Sequence, residues 1–288
     1  MIRNFLKKIS RLTQVVGLAI CLTFFTNCSN LQIFYFISEE YIYERAEDYL
    51  KLNKQQRSSA KKQIAALIHW HRTNMLPRYA DFFLEQADVT DKNLWSDSNF
   101  AVEFEKFRTL LNITVEGASP FIAELFFDAL SPTQINHLEA SMARNQVKRR
   151  STLLTENLND RVERRTKNIS RFTGPLNEYQ LSIIRGYTNR DRTYTARWVR
   201  NREQRQKALV EFLRTAPKQS DIASFVYHIL LEAHEITDPD YKTVSEQRWK
   251  NIKSMYFDLA TSLTPDQRSQ LSSNLRGYAS EMSRLSRS

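Results

Sequence analysis

Leu263-Thr264-Pro265-Asp266-Gln267 reads as the first turn of a helix, and the chain carries three counterparts of it. They are Leu52-Asn53-Lys54-Gln55-Gln56, Leu130-Ser131-Pro132-Thr133-Gln134 and Leu176-Asn177-Glu178-Tyr179-Gln180. In each, Asn, Ser or Thr stands where its side chain can accept from a free backbone N–H of the first turn. The Gln three residues later can reach back to the cap's own N–H, completing a capping box. Pro132 and Pro265 fall at the first helical position, where no donor is missed. The leucine before each cap can staple onto the turn that follows.

The apolar spacing around these starts is helical. Ala60, Ile64, Leu67, Ile68 and His71 form one stripe, and Leu271, Leu275, Tyr278 and Met282 another. Ile222, Phe225, Val226, Ile229, Leu230 and Ala233 recur at i, i+3, i+4, i+7, i+8 and i+11. Helices are predicted over 36–51, 53–73, 77–88, 98–113, 119–130, 132–170, 177–215, 220–236, 240–262 and 265–284. Breaks are placed at Pro77, 93–98, 117–120, 174–175, 216–217 and 237–239. The expected fold is all-α, an elongated multi-helix bundle of long antiparallel helices. Leucine to leucine, the four starts are 78, 46 and 87 residues apart, which is too uneven for a solenoid.

Composition agrees. Only 5 glycines and 7 prolines interrupt 288 residues, which excludes a turn-rich β fold, and 17 Phe, 12 Tyr and 4 Trp supply a core. The formal charge is +10, but residues 1–27 hold Arg3, Lys7, Lys8 and Arg11 and no acid; the remainder has 38 basic against 32 acidic side chains, or +6. That mild excess favours anionic partners without implying nucleic acid.

The N-terminus reads as an export signal. A basic stretch to Arg11 precedes the eleven apolar residues of Val15–Phe25, too short to span a bilayer but suited to a signal-peptide core. Phe25-Thr26-Asn27-Cys28 resembles the box that ends bacterial lipoprotein signals, in which the cysteine receives lipid; Phe25 and Asn27 depart from the usual Leu-like and small residues. The resemblance implies a leader over 1–27, lipidation at Cys28, and a single helical periplasmic domain over 28–288. Ser29 resembles the residue of lipoproteins sent on to the outer membrane, so the expected location is its periplasmic side. Three acyl chains would anchor stably, each buried methylene contributing about 0.8 kcal/mol. The other reading of the same residues is an uncleaved N-terminal anchor. Cys21 is the only other cysteine, so the domain has neither a disulfide framework nor a thiolate zinc site.

Two further resemblances follow from the motifs. The Leu-[Ser/Thr]-x-x-Gln starts resemble those of small helical periplasmic stress chaperones, over five-residue patches only. Over nearly the whole chain, the sequence is similar to an uncharacterised family of proteobacterial envelope lipoproteins. The aromatic-rich helix, Leu52–Arg57 and Trp70-His71-Arg72-Thr73-Asn74-Met75-Leu76-Pro77-Arg78-Tyr79-Ala80 carry that likeness, with Met75 where members usually have an acid. It implies address and fold and brings no activity.

No catalytic residue, metal ligand set or cofactor site is expected. His69 and His71 would point about 200° apart on a helix, so His71 reads as a core or boundary side chain. His228 and Glu232 share a face at i, i+4 and could form a pH-sensitive pair, but no His-Glu-x-x-His spacing exists. Nucleophile elbows and phosphate-binding glycine loops are absent from the sequence. More informative are the arginines on two predicted helices: Arg149, Arg150, Arg164 and Arg165, then Arg192, Arg197 and Arg200 with Trp198 between them. Guanidinium binds phosphate and carboxylate bidentately, so these side chains form a candidate face for an anionic envelope component or a protein partner. A solvated face paired to Glu156, Asp160, Glu163, Asp191 and Glu203 is the plainer reading. The expected function is that of a lipid-anchored periplasmic binding or adaptor protein, membrane-bound through its anchor, with no nucleic acid. The alternatives are a cell-wall or lipid-modifying enzyme whose site assembles only in three dimensions, and a cytoplasmic nucleic-acid binder.

Overall fold

The computed structural model describes residues 30–287, with only the backbone described for Asn30, Phe34, Arg192 and Thr193. The expected leader at 1–27, Cys21 and Cys28 lie outside the described residues. The chain is all-α, and no strand occurs among the described residues. Its helices are α1 (Asn30–Leu50), α2 (Lys54–Trp70), α3 (Leu76–Asp91), α4 (Asp97–Phe127), α5 (Pro132–Thr155), α6 (Leu158–Thr173) and α7 (Glu178–Arg190). They continue with α8 (Arg192–Arg214), α9 (Gln219–Leu231), the single turn α10 (Ala233–Ile236), α11 (Tyr241–Ser262) and α12 (Pro265–Leu285).

All four motif starts are N-caps. Asn53, Asn177 and Thr264 close full capping boxes with Gln56, Gln180 and Gln267. At Ser131 the hydroxyl accepts from the Gln134 N–H and donates to Gln134 Oε1, so the reciprocal half of the box is missing.

The glutamines also do something the motif does not announce: they pair with one another. Gln134 Nε2 donates to Gln56 Oε1 at 2.8 Å and to the Leu50 carbonyl at 3.1 Å, while Gln56 Nε2 donates to the Asp128 carbonyl. In the second pair, Gln180 and Gln267 exchange amide hydrogen bonds of 2.7 and 3.0 Å. Their remaining protons go to the Ser262 and Pro175 carbonyls at 3.0 and 2.6 Å. Each glutamine therefore pairs with its counterpart and satisfies a carbonyl just ahead of the counterpart's helix, and all but Gln134 also close the capping box of their own helix. Gln180 is fully buried, which is tolerable because its amide is fully bonded.

Five boundaries differ from expectation. A helix was expected to break at 117–120, yet α4 runs unbroken through Gly117 and Pro120. Contacts with α2 and α9 outweigh the cost of an interior proline, about 3 kcal/mol. Gly117 is needed for close approach, since a Cβ there would stand 1.9 Å from Trp70 Cζ2. Pro77 does not separate two helices; a π-helical turn at His71–Met75 carries α2 into α3, with Pro77 in the first turn of α3. The single helix expected over 132–170 is two, because Asn157 caps α6 by accepting from the Asp160 N–H at 3.0 Å. Those over 177–215 and 220–236 are likewise divided, at Asp191 and Glu232. Gly174, at φ 79°, ends α6 in the left-handed region that glycine adopts without strain.

The apolar faces meet in three clusters. One gathers Leu52, Ala123, Leu138, Leu213 and Val226 from α2's entry, α4, α5, α8 and α9. Beside it Phe212 and Phe225 stack with centroids 4.1 Å apart. A second joins α3 to α12 through Leu76, Ala80, Ala279 and Met282, and a third joins α6, α7 and α11 through Val162, Ile184 and Met255. The last turn of α12 is fixed to the π-helical turn between α2 and α3 by Arg72, whose Nε and Nη2 donate to the Leu285 carbonyl at 3.2 and 3.1 Å.

Candidate functional site

The break between α7 and α8 organises the arginines. Asp191 is 2% exposed and accepts from Arg165 Nη2 at 2.8 Å, from Arg248, and from Asn251 Nδ2 at 3.2 Å. Arg165 Nη1 also donates to Thr188 Oγ1 at 2.9 Å. Arg248 lies over the Tyr194 ring, 5.1 Å from its centroid. Burial, then the charges of Arg165 and Arg161, lowers its pKa to about 10. Arg165 is lowered too, by burial. Two guanidiniums thus share one buried carboxylate, an arrangement that fixes how α6, α7, α8 and α11 meet. Arg165 is a brace inside the fold, not part of an open face.

The other candidate residues separate into smaller groups. Arg164 pairs with Glu156, and Arg150 with Glu203 at 3.5 Å. Arg149 and Arg202 both approach the Trp198 ring, at 5.9 and 6.0 Å from its centroid, which brings α5 and α8 together over one aromatic platform. Gln146 supports the same junction by donating to the Val199 carbonyl at 3.3 Å. Arg197 and Arg200 are exposed and have no ion pair among the described residues. At about 100° per residue Arg200 is turned about 160° from Trp198, so it serves another side of α8. The side chain of Arg192 lies outside the described residues. What remains as a cationic surface is Arg149 with Trp198, extended by Arg202, and a separate exposed pair, Arg197 and Arg200.

Sequence reasoning gave too little weight to Arg202, Arg205 and Arg248, and a signal for them existed. Arg248, Ile252, Met255 and Leu259 run at i, i+4, i+7 and i+11 on α11, so an arginine occupies a core-facing register. Arg202, Arg205, Leu209 and Phe212, at i, i+3, i+7 and i+10 on α8, place two more arginines in such a register.

The histidines take ordinary places. His71 is half-buried, bonded through Nδ1 to the Tyr35 hydroxyl at 2.6 Å and flanked by Trp70 and Tyr79. Burial lowers its pKa. His69 is exposed, and His137 Nε2 meets the Asp48 carbonyl at 3.1 Å. His228 Nδ1 lies 2.6 Å from Glu232 Oε2 and 3.9 Å from Glu235 Oε2, close enough for the three to hold one cation. The cluster is part-exposed and its imidazole is already engaged by Glu232.

Two cavities are notable. One of about 600 Å³ lies among Phe82, Phe100, Phe104, Phe172, Ile252 and Leu275. The other, of about 400 Å³, is lined by α1, α4, α5, α8 and α9. Both fall within the range of small-molecule pockets.

Fold and site together define an all-helical protein with cationic and apolar surfaces and no assembled catalytic constellation among the described residues. Residues 48–242 match a family described as a family of unknown function, DUF6279, and the chain belongs to that family. No curated protein and no solved structure matches. The matched span stops at the start of α11, although Gln267 and the face of α12 on α3 complete the folded unit beyond it.

Proposed function

We propose that this protein is a lipid-anchored helical binding protein of the proteobacterial cell envelope, held through Cys28 on the periplasmic side of the outer membrane after removal of a signal peptide over 1–27. It presents the Arg149–Trp198 platform and, on another side of α8, the exposed pair Arg197 and Arg200 to an anionic envelope component or protein.

The observation that carries this reading is the start of α1. Ile33, Phe36, Ile37 and Tyr41 recur at i, i+3, i+4 and i+8 and are 53%, 86%, 51% and 61% exposed. A contiguous stripe of large apolar side chains left in water marks an interaction surface, and a helix bearing one can lie in the headgroup region of a bilayer. It begins five residues after Cys28, where an acylated cysteine would hold it at the membrane.

The test is mass spectrometry of the mature N-terminus after metabolic labelling with an alkynyl fatty acid. The expected product starts at a lipidated Cys28 and fractionates with the outer membrane, and Cys28→Ser loses the label. An intact Met1, or a label retained by Cys28→Ser, overturns the anchor. For the binding surface, crosslinking in intact cells should recover a reproducible partner that Arg149→Gln/Arg200→Gln loses. Recovery unchanged by that variant removes the arginines from the reading.

A further inference from the structure

We infer that the cleft between α1, α4, α5, α8 and α9 binds one long-chain fatty acid, its carboxylate held by Arg202 and Arg205 and its chain laid against Leu125, Met142 and Leu209. This goes beyond the anchored-adaptor reading and does not depend on Cys28.

The cleft combines an apolar lining with partly buried cationic groups. Its walls are aliphatic and aromatic, yet three arginines line it and no Asp or Glu does. Arg45 is matched outside the cleft by Asp48 at 3.3 Å, but Arg202 and Arg205 have no ion pair among the described residues. Each also has a buried Nε without a hydrogen-bond partner. Arg205 Nη1 only just reaches the Ile229 carbonyl, at 3.5 Å. Burial lowers the pKa of both, and for Arg202 the charges of Arg149 and Arg205 add to the effect. Desolvated cationic groups normally have a counter-charge close by, and none stands there among the described residues.

An anionic ligand would complete the site, and the shape selects its class. Arg202, Arg205 and Leu209 fall at i, i+3 and i+7 on α8, so the charged end of the cleft passes to its apolar end over about 10 Å. A volume of about 400 Å³ suits one chain rather than a two-chain lipid. A carboxylate can take hydrogen bonds from both guanidiniums at once.

The experiment uses the full chain in phosphatidylcholine nanodiscs, photolabelled with palmitic acid carrying a mid-chain diazirine. Labelled peptides should contain Leu125, Met142 or Leu209, and excess palmitic acid should compete where cetyl alcohol, lacking the charge, does not. Arg202→Gln/Arg205→Gln should lower labelling about tenfold or more, as expected when charge-assisted hydrogen bonds are lost. Leu125→Trp, which fills the cleft and leaves both arginines in place, should abolish it with an unchanged circular dichroism spectrum. Equal competition by the alcohol overturns the inference, as does label confined to the exposed stripe of α1 or labelling retained in both variants. Stronger competition by lysophosphatidic acid than by palmitic acid overturns the carboxylate assignment.

Discussion

Replacing Gln180 by Leu tests whether the paired glutamines hold the fold. Gln180 is 0% exposed, and its amide makes four hydrogen bonds. It accepts from the Asn177 N–H at 3.0 Å and from Gln267 Nε2 at 3.0 Å, and donates to the Ser262 carbonyl at 3.0 Å and to Gln267 Oε1 at 2.7 Å. Leucine offers similar bulk and none of these. The Ser262 carbonyl loses its side-chain donor, and Gln267 keeps only the Pro175 carbonyl and the Thr264 N–H. Each buried group stranded in this way costs about 1–3 kcal/mol, so the substitution should cost about 3 kcal/mol. At 2–4 °C per kcal/mol for a domain of this size, Tm should fall by roughly 6–12 °C. Urea unfolding followed by circular dichroism gives the free energy. The exposed Gln55→Leu, in the same kind of motif, should stay within about 0.5 kcal/mol. Gln180→Leu/Gln267→Leu should cost at least about 1 kcal/mol less than the two single changes added together, because both partners are removed at once. A single cost below about 1 kcal/mol, or strictly additive costs, would refute the role assigned to the pair.

Asp191→Asn leaves Arg165 and Arg248 buried without their counter-charge and should destabilise by about 3–5 kcal/mol, read from the urea midpoint. Gly117→Ala drives a methyl into the Trp70 ring and should cost about 1–3 kcal/mol by overpacking, with a changed tryptophan emission spectrum. His71 has its folded pKa held below the ordinary 6.5 by burial, so the unfolded chain takes up its proton first as pH falls. Its contribution is fully present above about pH 6.5 and is lost as pH drops from there toward the folded value. His71→Phe should flatten that part of the stability–pH curve, and an unchanged slope between pH 7.5 and 5 would count against the assignment.

What could be read from the sequence was local chemistry. Asn53, Ser131, Asn177 and Thr264 announce helix starts because a cap involves only residues three apart, and the stripes through Ile64 and Val226 announce faces because they too repeat within three or four residues. The pairing of Gln56 with Gln134 and of Gln180 with Gln267 joins residues 78 and 87 apart, and no local signal carries it. Pro120 was misleading because tertiary contacts of α4 override propensity, whereas the break at Asn157 did carry a local signal, since Thr155, Asn157, Asn159 and Asp160 are poor helix formers and Asn is a favoured cap. The arginine face was legible as composition but not as geometry. The turn at Asp191 folds Arg165 inward, while Arg202 and Arg205, set in a core-facing register, end up beside a cleft.

The two glutamine pairs have a consequence for the order in which the chain can fold. The closures run from 56 to 134 and from 180 to 267, one after the other, neither nested nor interleaved. Being of similar length they carry nearly the same loop entropy. A chain emerging N-terminus first can therefore close its first loop before residues of the second exist, since domains generally fold as they are delivered. Only the seating of α12 on α3, with Arg72 bonded to the Leu285 carbonyl, must wait for the last residues. Assembly then becomes two independent closures followed by one late docking step, which a truncation series ending after residue 155 and after residue 270 would resolve in time.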